Sequence, residues 1–281
     1  MTVAPILLGL FAAVLFAIGS AMEQTTTKQE KSTRTLDPRL LLRLLRRPRW
    51  VLGWLPDLGG TVLQAVALRI GALALVEPLL LVGVFVAVPL AAALNHRRPR
   101  RRDLLVVALG GVSLAAFLVA ANPRRGVNQA STEAWLPVLA GAMAVFAVCL
   151  LLAWRIGGAT RGVLLGIGTG LLYGLAASLL KTLTVQLTNG GLGAVFTQWH
   201  IYALAVIGLG GLILNQNAFQ SGRIAAPLTT IALLDPVTSI VVGVLVYQET
   251  LSATGVRLVI LVLAAALMGV VLWLARGGQS S

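Results

Sequence analysis

Charged side chains are scarce in this 281-residue chain, yet several lie deep inside apolar runs. A charge at the centre of a bilayer costs about 2.5–3.5 kcal/mol on insertion scales, so each one asks for a purpose. Asp235 is the deepest acid, and Pro236 follows it directly. Proline has no N–H and cannot donate to the helix ladder, which frees a carbonyl one turn earlier, near Ala232. An acid beside unsatisfied backbone suits a cation or a proton. Glu77-Pro78 repeats the arrangement in an earlier run. The alternative for Asp235 is an ion pair with Lys181 or Arg223 that holds helices together.

Uncharged polar residues add to the set. Gln64 and the string Asn215-Gln216-Asn217 occupy matching places in two runs. They either contact a substrate or bond between helices, the latter worth about 0.6 kcal/mol each. Lys181 lies near the end of a run, where its stem permits snorkelling to the interface or contact with an anionic group; snorkelling is the expectation. Asp57 has either a helix-end role or a place in a site. The candidate substrate- or ion-binding residues are therefore Asp235, Glu77, Gln64, Asn215, Asn217 and Lys181.

No catalytic or cofactor chemistry is legible beside them. His96 and His200 stand at run ends with no second ligand at metal spacing, and Cys149 is the single cysteine. There is no H-E-x-x-H, no nucleophile elbow and no phosphate loop ending in Gly-Lys-Ser or Gly-Lys-Thr. No cofactor is expected, an enzyme is not expected, and an ATP-driven pump is disfavoured. Gly166, Gly170 and Gly174 form a small-residue stripe that lets a second helix approach closely.

The elements that must position these residues are long apolar helices. Hydrophobic residues make up 58% of the chain and charged ones 11%, with a mean hydropathy of +0.91, which sets aside soluble, disordered and disulfide-scaffold classes. Nine runs can span a bilayer: residues 3–22, 51–70, 72–94, 104–121, 135–154, 162–183, 199–218, 227–247 and 256–275. The first run has no cationic segment before it and reads as a retained span.

The net charge of +13 sits in the short connections between runs, which points to membrane orientation and lipid headgroups, not to nucleic acid. With the N-terminus outside, seventeen of the 22 Lys and Arg residues fall on the inner side. Arg69, Arg124, Arg125 and Arg257 fall outside, and Lys181 lies within a run. This bias predicts an N-out, C-in protein of the plasma (inner) membrane, and the composition points to a bacterium. Anionic lipid is the expected partner at Arg39–Arg49 and Arg97–Arg102. In the first of these, Asp37-Pro38 opens a short interfacial helix with leucines on one face and arginines on the other.

The chain also resembles itself. Leu58-Gly59-Gly60 through Gln64 lies on Leu209-Gly210-Gly211 through Asn215, and Glu77-Pro78 lies on Asp235-Pro236. Spans one to four thus repeat as spans six to nine, and the odd number of helices between copies turns the second upside down. Inverted repeats are a frequent build of secondary transporters, with the substrate between the halves. The expected fold is all-α, a polytopic transmembrane bundle of about nine spans. Residues 1–134 form the first repeat with a basic interfacial linker at 23–50, residues 135–160 a connecting span, and residues 161–281 the second repeat.

Pro236, Gly243 and then Glu249-Thr250-Leu251 resemble the drug/metabolite transporter superfamily, in its EamA-like branch, where Gln248 stands in place of the usual glycine. Leu75-Val76-Glu77-Pro78-Leu79, Gly60 with Gln64, Lys181, Trp199 with Tyr202, and Asn215 through Ala218 are similar to the NIPA-type magnesium transporters of that superfamily. Thr61 stands where those chains carry a glutamate. The resemblance implies a helix bundle with a central cavity and alternating access. Three functions follow as expectations: a secondary transporter of a small organic solute, with or without proton coupling; a NIPA-like carrier of Mg²⁺ or another divalent cation; and a non-transporting membrane assembly protein or enzyme. A homodimer is compatible with each.

Overall fold

The computed structural model describes residues 3–27, 48–94, 101–220, 225–252 and 254–275. The interfacial helix expected at Asp37-Pro38, the Arg97–Arg100 cluster, His96 and Arg223 lie outside them. Among the described residues the chain is all-helical. Its helices are α1 (Val3–Thr27), α2 (Pro48–Ile70), α3 (Leu73–Leu94), α4 (Arg101–Ala121), α5 (Thr132–Arg155), α6 (Gly158–Thr197), α7 (Trp199–Gln220), α8 (Ala225–Leu245) and α9 (Val256–Ala275). Each apolar run read from the sequence coincides with one of them, only Ala72, Val246 and Tyr247 lying beyond the helix ends. Among the described residues, three helical segments are long and apolar enough to cross a membrane: Leu104–Ala121, Thr132–Arg155 and Thr160–Thr197. Shorter apolar segments occupy five further helices.

Local chemistry explains several boundaries. Ser131 caps α5, its hydroxyl accepting the Ala134 N–H at 3.3 Å, with Glu133 in the first turn where the helix dipole favours an acid. The helix α6 runs 14 residues beyond the expected end at Leu183. Asn189-Gly190-Gly191 reads as a turn, but Gly191 alone leaves helical geometry, at φ 67° and ψ −168°, and the chain resumes its helix at once. Glycine reaches that positive φ without the clash a Cβ would cause.

The chain forms two compact units that interleave in sequence. One holds Leu68–Glu77 and Ala121–Ala253, that is, the start of α3 with α5 to α8. The other holds Val3–Ala67, Pro78–Ala120 and the chain from Thr254 onward.

In the first unit α6 is the central element. Its glycine stripe meets α8 along backbone: a Cβ on Gly166 would stand 3.0 Å from the Pro227 carbonyl, and one on Gly170 2.7 Å from Leu234 Cβ. A Cβ on Gly174 would stand 2.6 Å from Thr238 Cβ and 2.7 Å from the Asp235 carbonyl. The packing role expected of the stripe is what the helices use. On another side of α6, Leu165 packs with Ala153 of α5 and Ala218 of α7.

Within the second unit Asp57 lies in the middle of α2, not at a helix end, and its carboxylate occupies the space beside Gly19 of α1. Phe16 of α1 packs over Gly60, and the buried Phe85 of α3 over Gly110 of α4.

Close α6–α8 packing should make Gly174→Ala destabilising by about 1–3 kcal/mol through overpacking. Gly141→Ala in α5, where a Cβ meets nothing within 4 Å, should be neutral or stabilising. Melting temperatures in detergent test this contrast, and equal effects at the two positions would refute it.

Candidate functional site

Two polar layers lie along α6 in the first unit, about 12 Å apart from Tyr173 to Lys181 at the rise of an α-helix. The lower layer gathers side chains from four helices: Glu77 of α3, Tyr173 of α6, Asn215 of α7 and Asp235 of α8. Glu77 is buried, 3% exposed. It lies near enough to Asp235 to act on it electrostatically, as does Asp235 on Tyr173. The Tyr173 hydroxyl is hydrogen-bonded to the Asn215 side chain. Asn215 Oδ1 is buried without a partner among the described residues, so the bond runs from Asn215 Nδ2 to the phenol oxygen. The phenol proton is then left to be donated elsewhere. Asp235 Oδ1 is likewise buried without a partner. The layer therefore offers two unengaged acceptor oxygens and a hydroxyl beside a second carboxylate.

The upper layer is a closed ion-pair network. Glu249 follows the end of α8 and is 2% exposed. Its Oε1 accepts from Lys181 Nζ at 2.5 Å and from the Leu73 N–H at 2.7 Å, while Oε2 accepts from the Ala74 N–H at 2.9 Å. The carboxylate thus caps the N-terminus of α3, where orphan N–H groups and the helix dipole both favour an anion. Lys181 also lies 4.5 Å from the centroid of the Tyr247 ring, a cation–π contact. The Tyr247 hydroxyl donates to the Ser178 carbonyl at 2.6 Å, so the Thr182 hydroxyl donates to the Tyr247 oxygen at 2.5 Å.

Backbone bonds hold Glu249 in place. Its N–H donates to the Gly243 carbonyl, and a Cβ on Gly243 would stand 2.6 Å from Glu249 Oε2. Glycine at 243 is what lets the carboxylate fold back over the helix end. Gln248 adopts φ 55°, in the left-handed region. Arg124 and Thr250 form an antiparallel bridge, and Val127 N–H donates to the Tyr247 carbonyl, tying this turn to the connection before α5. Arg125 donates to the Arg69 carbonyl in the last turn of α2, a cation at a helix C-terminus.

Of the residues singled out from sequence, Asp235, Glu77 and Asn215 come together. Lys181 joins the other layer; it is 2% exposed and paired with Glu249, so neither snorkelling nor pairing with Asp235 describes it. Asn217 donates to the Ile213 carbonyl of its own helix. Gln64 belongs to the second unit. Sequence reasoning missed Tyr173, which nothing in its local pattern distinguishes from a core aromatic. It quoted Glu249 only as a motif letter, although a buried lysine in an apolar chain demands an acid somewhere.

Removing one partner of a buried ion pair strands the other charge. Lys181→Met should therefore cost about 3–5 kcal/mol in unfolding experiments in detergent, and a cost under 1 kcal/mol would mean the pair is solvated. Gln248→Gly should raise stability by about 1–2 kcal/mol by relieving the left-handed backbone, and a lower melting temperature would contradict that account.

No protein-family model matches the chain, and no solved structure matches it. An uncharacterized protein of Corynebacterium glutamicum is 29% identical over 245 residues, covering 84% of this chain and 85% of that protein.

Proposed function

We propose that the chain is a secondary transporter of a bacterial plasma membrane, moving a small organic solute by alternating access coupled to protons. The observation that carries this reading is the lower layer. Asp235 and Asn215 each hold a buried oxygen with no partner, next to Glu77 and the Tyr173 hydroxyl, inside an apolar helical protein. Such groups are costly unless a ligand or proton uses them. In this mechanism Asp235 takes a proton or the cationic group of the solute. The two carboxylates disfavour being charged together, so loading of one species opposes the other. Tyr173 and Asn215 orient the bound group.

Membrane residence is supported by the outward surface as well as by the helices. Only 11% of the most apolar 18-residue stretch of α5 is buried within the described structure, and Leu136, Leu151 and Trp154 are 63%, 60% and 83% exposed. Apolar surface on that scale suits lipid. The nine-span, inverted-repeat reading draws support from the paired Glu77-Pro78 and Asp235-Pro236, each inside its helix, and the N-out orientation from the distribution of Lys and Arg. Kinship with the drug/metabolite transporter superfamily draws support from Gln248: the position where that family has glycine is the one with positive φ. Anionic lipid then meets the arginines of the inner connections.

A second reading, transport of Mg²⁺ or another divalent cation, is favoured by the electrostatic proximity of Glu77 and Asp235. Mg²⁺ takes one or two carboxylates and keeps several waters.

Proteoliposomes distinguish the two. With an entrapped pH dye, organic solutes should drive proton movement that falls to the level of empty liposomes in Asp235→Asn, at equal reconstitution. Saturable entry of Mg²⁺ into an entrapped dye, lost in the same variant, would replace the first reading by the second. Wild-type flux in Asp235→Asn would remove both.

A further inference from the structure

A further group of buried polar atoms adjoins the ion-pair network, Trp135 standing edge-on to Tyr247 at 6.1 Å between centroids. Trp135 Nε1, Trp199 Nε1, His200 Nε2 and Gln186 Oε1 are all buried and have no hydrogen-bond partner among the described residues. Trp135 is 0%, His200 4% and Gln186 5% exposed. Their side chains touch one another. Trp199 stacks on His200 at 4.1 Å between centroids, and Trp135 stands edge-on to both, at 5.9 Å from Trp199 and 6.2 Å from His200. Gln186 Nε2 lies 3.0 Å from His200 Nδ1.

The hydrogen-bond inventory of this cluster defines its complement. With Gln186 Nε2 as the donor, His200 Nδ1 is the acceptor, and the neutral ring carries its proton on Nε2. Three N–H donors and one carbonyl acceptor are then left over. Buried polar groups are paired in nearly all proteins, so a cluster of four unpaired ones marks a place where something binds. The surroundings favour negative charge. Trp135 lies in the first turn of α5, and Trp199 with His200 opens α7, so two helix N-termini point their N–H groups at the cluster's end of the helices. Among the described residues, Lys181 is engaged by Glu249 and Arg125 by the Arg69 carbonyl and Asn128. Neutral donors suit a delocalised monoanion better than a phosphate dianion.

We propose that Trp135, Gln186, Trp199 and His200 form a binding site for a small carboxylate that carries a neighbouring hydrogen-bond donor, as in a 2-hydroxy acid. The carboxylate oxygens accept from the two indoles and the imidazole, and the adjacent hydroxyl donates to Gln186 Oε1. This site is independent of the transport reading of Asp235.

The test uses the full chain in detergent micelles with ¹⁵N-labelled indoles, the Trp135 and Trp199 signals being assigned with Trp135→Phe and Trp199→Phe. Glycolate, acetate, glycolamide and chloride are titrated at constant ionic strength. Saturable shifts of both signals are expected with glycolate, several-fold weaker binding with acetate, and no saturable response to glycolamide or chloride. Gln186→Leu should make glycolate and acetate equivalent. Absence of a saturable shift with glycolate would overturn the proposal, as would an equal response to chloride or an unchanged glycolate preference in Gln186→Leu.

Discussion

A carboxylate withdrawn from water must be neutralised by what surrounds it, and Glu249 is neutralised from three directions. Lys181 supplies a full positive charge, and the Leu73 and Ala74 amides supply the partial charge of a helix N-terminus. The interaction joins segments 68 to 176 residues apart in sequence, so it closes long loops at a single point. The rest of the upper layer follows from it. Gly243 must lack a side chain for Glu249 to fold back, Gln248 must turn through a left-handed conformation, and the Arg124–Thr250 bridge holds the turn from the other side. Lys181 is in turn bracketed by the Tyr247 ring, whose hydroxyl is fixed by Ser178 and Thr182 of the same helix that carries the lysine. A buried pair of this kind does little for net stability, but it specifies which ends meet, because any other arrangement leaves a charge uncompensated.

The lower layer depends on a different constraint, the closeness of α6 and α8. Gly166, Gly170 and Gly174 bring the backbone of α8 against α6 at Pro227, Ile231 and Asp235. That contact sets the height of Asp235 beside Tyr173, and Pro236 follows inside the same helix, withholding one N–H from the ladder. Ser178 and Ser239 both direct hydroxyls at the Gly174 carbonyl, so the polar groups at this contact are satisfied by local backbone. Asp235 Oδ1 and Asn215 Oδ1 are the exceptions. Satisfied hydroxyls beside unsatisfied carboxylate and amide oxygens separate what packs the helices from what is open to a ligand.

Along α6 the chemistry is arranged by height. Tyr173, Lys181 and Gln186 mark three levels, separated by about 12 Å and about 7.5 Å at 1.5 Å per residue. A layer with unengaged carboxylate and amide oxygens, a buried ion pair and an aromatic cluster thus share one helix. The ion pair and that layer also share α3, since Leu73 and Ala74 are held by Glu249 and Glu77 lies one turn further on. Glu77 therefore stands on the turn that follows the two amides fixed by Glu249.

The amino-acid sequence by itself determined the all-helical class and the position of each helix, because apolar runs of span length have few other ways to satisfy their backbone. It also placed Asp235-Pro236 and Glu77-Pro78 inside apolar helices, where an acid is expensive wherever it ends up, and marked the glycine stripe for close packing. Pairing was decided only by the tertiary structure. Lys181 could have served Asp235, Arg223 could have done so in its place, and only the assembled helices put Glu249 within reach at the end of α8. Tyr173 and the Trp135–Trp199–His200 cluster were illegible for the same reason. An aromatic side chain in an apolar run looks like core, and whether its polar atom finds a partner depends on residues far away in sequence. Gln64 and Asn217 show the converse: their polar side chains looked equivalent to that of Asn215, yet Asn217 turns to its own helix and Gln64 falls in the other compact unit. A helix periodicity assigns residues to faces; which face meets which is set by packing that the linear pattern does not encode.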